Sequence, residues 1–309
     1  MHDKVVSNDI RNDWDAMANA NKLSTVKLKE KLTGNTHLTR WVTGLTAAPV
    51  LIFAIVWGDG MFFCGLAALA SVAALWEYMG LIHPSATNRQ RFFAGLPAFL
   101  MAPLAIFAAA AGLLSLVPAL IMLYLLLLAA VAVRRYKNNS KAWQATAFQL
   151  LAFGHVTIPL CLSVMIRKNP MGVVWIFALL LIVFAGDIGA FYTGKTIGAH
   201  TLTPAVSPQK TVEGAVGGLF ANLLMAGLFQ FFFLPDVDLE VILLIAFLAG
   251  IAGQVGDLFI SVLKRDSGVK DSSRLLPGHG GILDRIDALL MALPTAWMLI
   301  ELLVKRSVS

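Results

Sequence analysis

An all-α polytopic membrane bundle of about nine spans is the fold class this sequence predicts, and three observations predict it. Hydrophobic residues fill 58% of the 309 positions and charged residues only 14%, with a mean hydropathy of +0.76, a composition foreign to an ordinary soluble domain. Apolar windows long enough to cross a bilayer recur along the chain. These windows lack strict two-residue alternation, so helices, which satisfy their own backbone groups, are favoured over a barrel.

In order, the windows fall at about 41–57, 60–79, 92–112, 114–133, 145–166, 172–192, 215–234, 240–263 and 286–304. Residues 1–39 precede them as a polar leader, with no short apolar core and cleavage site of a signal peptide. There Lys22, Lys27, Lys29 and Lys31 interleave with Leu23, Val26, Leu28 and Leu32, the pattern of either an interfacial helix on anionic lipid or a loose tail. Residues 40–309 read as one membrane domain. Its first five windows are built of Leu, Ala, Val and Phe and read as scaffold. Glu77 and His155 are ionisable exceptions; Glu77 lies near enough to a span end to reach the interface, and both are assigned to the scaffold. Cys64 and Cys161 sit inside spans without metal-like spacing and read as packing residues.

Lysine and arginine set the orientation, because short cytoplasmic loops carry their excess. Twenty of the 24 fall before the first window or after the second, fourth, sixth and eighth; Arg167, Lys168, Lys305 and Arg306 fall on the other side. A cytoplasmic N-terminus is expected, and the basic loops face the same compartment. The net charge of +6 is thus matched to anionic lipid head groups and not to nucleic acid.

From the sixth window onward, polar residues enter the apolar stretches. Asp187 lies in FAGDIGAFYTGKTIG, where a carboxylate needs either a bound cation or substrate, or a loop lysine, to compensate it. The loop that follows contains Ser207, Lys210, Thr211 and Glu213; Ser207 or Thr211 can cap the seventh helix, and Lys210 stands where an anion would meet its positive end. Gly214 and Gly218, four apart, suit close helix packing. The eighth window carries Gly250, Gly253 and Gly256, then Asp257, Ser261 and Lys264 on one helical face.

Between the eighth and ninth windows, Lys264, Arg265, Lys270 and Arg274 can neutralise phosphates, while Asp266, Asp271, Asp284 and Asp287 offer the hard oxygen ligands that Mg²⁺ prefers. The run Pro277-Gly278-His279-Gly280-Gly281 can turn tightly enough for its N–H groups to approach an anion. His279 can bond a phosphate, serve in proton transfer or pin the turn. If the turn folds the ninth helix back onto the eighth, Asp257 and Asp284 can face each other across a metal. A purely solvated loop would account for the lysines and arginines but not for the intramembrane aspartates.

At these residues the chain resembles the phosphatidate cytidylyltransferases, also called CDP-diacylglycerol synthases. The pattern S-x-x-K-R-x4-K-D-x5-P-x-H-G-G-x-x-D-R-x-D is matched by Ser261, Lys264, Arg265, Lys270, Asp271, Pro277, His279, Gly280, Gly281, Asp284, Arg285 and Asp287. The Ser207…Glu213-Gly214 and Gly253…Asp257 blocks are similar to the same family, so the resemblance is specific over about 185–290. It implies transfer of CMP from CTP to phosphatidate, giving CDP-diacylglycerol and pyrophosphate, at the cytoplasmic face of a bacterial-type inner membrane. It also implies Asp257, Asp284 and Asp287 as ligands of Mg²⁺, two cations by analogy, with Asp271 in support. Lys210, Lys264, Arg265, Lys270 and Arg285 would hold the phosphates, with Ser207, Thr211, Glu213, Ser261, Gly280 and Gly281 around the substrates. Alternatives are a CTP-dependent polyprenol kinase, a cytidylyltransferase for another lipid phosphate, or a transporter or inactive paralogue. The chain lacks a D-G-x2-A-R…G-x3-D-x3-D arrangement, which argues against an alcohol phosphotransferase that consumes CDP-diacylglycerol. The glycine faces serve intramolecular packing or a homodimer equally well.

Overall fold

The computed structural model describes residues 43–137, 142–276 and 278–304; the leader lies outside them. The chain runs through α1 (Thr43–Val56), α2 (Met61–Ile82), α3 (Asn88–Ala110), α4 (Leu116–Tyr136), α5 (Ala142–Arg167) and α6 (Gly172–Ile197). A hairpin of β1 (Thr201–Thr203) and β2 (Ser207–Thr211) leads into α7 (Val212–Phe233), α8 (Leu239–Asp266) and α9 (Leu283–Leu299). A π-helical turn, Ile300–Val304, extends α9. Eight of these helices are long and apolar enough to cross a membrane; α1, whose described part is 14 residues, matches the first expected window and is shorter.

Local chemistry sets the ends. Thr87 and Gln90 form a reciprocal capping box at α3: the Thr87 hydroxyl accepts from the Gln90 N–H and the Gln90 carboxamide from the Thr87 N–H. Between α1 and α2 the chain reverses through Gly58, Asp59 and Gly60, all at positive φ, where glycine at two of three positions limits the cost. The sixth expected window ends at 192, but α6 continues to Ile197, which leaves Asp187 well inside the helix. The loop expected between α6 and α7 is instead a short antiparallel hairpin, pairing Thr201 with Thr211 and Thr203 with Ser207.

Two packing units share the bundle. Helix α5 lies against α2, α3 and α4, and its buried Phe153 and Val156 belong to the same core as Leu75, Met79 and Tyr124. Buried Arg167 donates from Nε to the Ile55 carbonyl (2.5 Å), and Lys168 donates to the Ala110 carbonyl, so two basic residues satisfy the open carbonyls ending α1 and α3. In the other unit α6 packs along α7 and α8 along α9. Glycine lets these pairs close: a Cβ on Gly218 would stand 2.9 Å from the Gly186 carbonyl, and one on Gly256 2.6 Å from that of Asp287. The glycine faces noted in the sequence are thus used within the chain.

Candidate active site

A cavity of about 610 Å³ opens between α6, the β1–β2 hairpin, α7 and α8, with Ala288 of α9 also in its wall, so the residues it brings together come from five separate stretches. Asp187 of α6, Lys210 of β2 and Asp257 of α8 line it, with Ser207 and Thr211 of the hairpin strand. The Lys210 ammonium is hydrogen-bonded to Asp257 Oδ2. Thr211 caps α7 by accepting from the Gly214 N–H at 3.0 Å, which fixes the strand end that delivers Lys210. The loop lysine is thus hydrogen-bonded to Asp257 and lies near enough to Asp187 to offset its charge as well.

A second acid–base pair lies across α8. Lys264 Nζ donates to Asp284 Oδ1 at 2.7 Å, and both side chains are largely buried, 13% and 6% exposed. The other oxygen, Oδ2, accepts from the N–H of Ser272 (2.9 Å) and of Gly281 (3.0 Å), with the Ser272 hydroxyl at 2.9 Å. Asp287, one turn on, is buried with Oδ1 on the Ala288 N–H. Its carboxylate and those of Asp187 and Asp257 lie close enough to repel one another, and Lys264 and Lys210 offset that charge. Three helices thus converge acidic groups on one place, with lysines threaded among them.

Other expected site residues stand apart from the cavity. Glu213 accepts from the Ala199 and His200 N–H groups (3.1 and 3.2 Å) and pairs with His200 Nδ1 (2.6 Å), tying the base of the hairpin. Arg265 donates to the Val206 carbonyl at 3.1 Å and to that of Val269 at 3.4 Å. Lys270, Asp271 and Arg285 are exposed, and Ser261 is half-buried one turn from Asp257 on α8. His279 donates its N–H to the Leu276 carbonyl (2.9 Å), and Leu276 answers to that of Gly280 (2.8 Å), so the tight turn forms as expected. Gly280 takes φ +79°, which a side chain would strain. The amides that follow serve side chains of the protein, since Gly281 N–H bonds Asp284.

Two groups escaped the sequence reading. Glu77 of α2, assigned there to the scaffold, is buried and reaches the turn: it accepts from the hydroxyls of Ser272 and Ser273 (both 2.7 Å) and the N–H groups of Ile282 (2.9 Å) and Leu283 (2.8 Å). Its signal was visible as a lone acid in an apolar window. Asn222 of α7 is buried at the cavity floor between Gly186 and Gly250, where only glycine leaves room for a carboxamide. A carboxamide midway along an apolar helix was its trace in the sequence.

The donor set fits a hard divalent cation in kind: every acidic ligand is a carboxylate, and the lysines now pairing Asp257 and Asp284 supply the positive charge those groups require. Among the described residues, no three His, Cys, Asp or Glu side chains are already drawn into a ligand group.

Comparison with known proteins bears on this arrangement. A model of the cytidylyltransferase family matches residues 38–303. The chain is 34% identical over 266 residues to a phosphatidate cytidylyltransferase of Bacillus subtilis (strain 168), covering 85% of this chain and 97% of that protein. Proteins of the same description from Staphylococcus haemolyticus (strain JCSC1435) and Staphylococcus saprophyticus subsp. saprophyticus are 39% and 40% identical over 157 residues, 51% of this chain and 60% of each relative. With the match spanning nearly every described helix and both acid–base pairs, the chain belongs to the cytidylyltransferase family.

Proposed function

We propose that the chain is a membrane-embedded phosphatidate cytidylyltransferase, carrying CMP from CTP to phosphatidate and releasing pyrophosphate. The observation that carries this reading is the pair of lysine–aspartate contacts flanking α8, Lys210–Asp257 and Lys264–Asp284, one of them lining the 610 Å³ cavity. A phosphate monoester is already anionic at neutral pH, so its oxygen attacks the α-phosphorus without a strong base. A P–O bond forms there as the bond to the β-phosphate oxygen breaks, and pyrophosphate departs with the electron pair. The protein's task is to hold two anions together and to stabilise the charge that develops.

Lys210 and Lys264 suit that task because each flexible ammonium can turn from a carboxylate to a substrate phosphate. Arg265, Lys270 and Arg285 add positive charge on the exposed side of the same region. Asp257, Asp284 and Asp287 would hold Mg²⁺, with Asp187 beside them. When bound, the cations would neutralise the phosphates and the leaving pyrophosphate. The acyl chains of the lipid would extend between helices into the bilayer. We place the site on the cytoplasmic side, where CTP is made and where the basic loops are expected.

Purified chain incubated with CTP, Mg²⁺ and phosphatidate tests this. Label from α-phosphate-labelled CTP should enter the lipid phase, and label from the γ-phosphate should not. Transfer of γ-label to a prenol would replace the reading with a lipid kinase.

A further inference from the structure

Glu77 is a buried carboxylate for which the described residues supply no lysine, arginine or histidine. Four hydrogen bonds take their place. Two come from Ile282 and Leu283, the first N–H groups of α9, which an α-helix cannot satisfy internally. The Ile282 side chain at the N-cap position of α9 cannot accept a bond, and Asp284 of the first turn reaches back only to the Gly281 N–H. The cap therefore arrives from α2, some two hundred residues earlier, and places a negative charge at the positive end of the helix dipole. The other two bonds come from Ser272 and Ser273, and Ser272 also donates its N–H to Asp284, its one hydroxyl proton lying between the two carboxylates. Gly281 completes the fit, because a Cβ there would collide with both Ser272 Oγ and the Glu77 carboxylate. The second glycine of the His-Gly-Gly run thus makes room for an acid from the scaffold half.

We propose that Glu77 is a positioning residue for the transfer reaction: it clamps the start of α9 and Ser272 together, so that Asp284 is presented to the site in one orientation. The proposal rests on the transferase reading above. A misplacement near 1 Å at a reacting centre costs about 100-fold in rate, and Asp284 follows directly from the two clamped amides.

The test uses full-length protein carrying Glu77→Gln, Glu77→Asp and Ser272→Ala, with Glu77→Gln/Ser272→Ala as the double variant. The amide of Glu77→Gln turns a donor toward groups that are donors themselves. Its kcat should fall about 100-fold while KM for CTP changes little, a loss measured well below the melting transition, which should itself come somewhat earlier because buried donors lose their acceptor; Glu77→Asp should recover part of that rate. The double variant should be scarcely slower than Glu77→Gln alone, because both changes break one chain of contacts. Backbone amide exchange over residues 281–285 should quicken about tenfold in Glu77→Gln, with exchange in α6 and α7 unaltered. Native turnover with native exchange in Glu77→Gln overturns the proposal. So does a uniform loss of protection through the bundle with activity falling in proportion, the mark of a general structural tie. Exchange needs no turnover, so a wild-type chain that transfers no label sinks the transferase reading while the clamp is still judged by its amides.

Discussion

The two halves of the bundle treat buried polarity in opposite ways. In α1–α5, Arg167 and Lys168 end on backbone carbonyls, and Tyr78 and His155 bond each other at 2.5 Å within the core. The two cations close helix ends and the tyrosine meets one nitrogen of the ring, while the other, His155 Nε2, has no hydrogen-bond partner among the described residues. In α6–α9 the charged groups face one another, two lysines against a cluster of aspartates, and one of the two pairs lines an open cavity. Satisfied polarity stabilises a fold, whereas repelling carboxylates held by removable ammonium groups are poised for an external ligand. Glu77 belongs to the first half by sequence and to the second by its bonds.

That contrast can be broken most severely at Asp284. Asp284→Asn should reduce label transfer by at least about 100-fold while the protein still purifies folded in detergent; retained turnover would remove Asp284 from the reaction. Lys264→Ala should follow, with a loss in kcat/KM of about tenfold to 100-fold, because it leaves a carboxylate only 6% exposed without its cation. Lys210→Ala should cost less, since its pair is about one-third exposed and partly screened by solvent. Steady-state kinetics on the two variants side by side checks that order, and a reversal would mean that the cavity-lining pair and not the buried one dominates.

Changes in the scaffold half should show the opposite signature. Arg167→Ala strips the Ile55 carbonyl of its donor and should lower stability by about 2 kcal/mol, seen as an earlier melting transition with kcat per folded molecule unchanged. The smallest effect is expected at His83, just beyond α2, where burial, then Arg135 and Arg91, push the imidazole below its ordinary 6.5. Its Nε2 sits 2.9 Å from the Gln149 carboxamide nitrogen, an arrangement for a neutral ring. The folded state then binds fewer protons than the unfolded one, so stability should decline as pH falls through about 6.5. His83→Gln should flatten that slope in melting curves taken across this range.

Much of the site was legible because its chemistry is local in sequence. Lys264, Asp284 and Asp287 lie within 24 residues, and Thr211 caps α7 from a position that its type and the following apolar run made visible. Glu213 shows the limit: its spacing beside Lys210 looked like substrate binding, yet its carboxylate bonds the hairpin base. Charge and spacing cannot tell which of two nearby donors a flexible side chain will choose.

Composition and periodicity alone determined that this chain is a helical membrane bundle, because hydrocarbon imposes one rule on every window, and showed aspartates entering its later spans. Tertiary packing alone decided that Lys210 meets Asp257, that Asn222 lies between two glycines, and that an acid in α2 caps α9. Those pairings join residues 28 to 206 positions apart. Their partners are chosen by how helices approach in space, which no local pattern encodes.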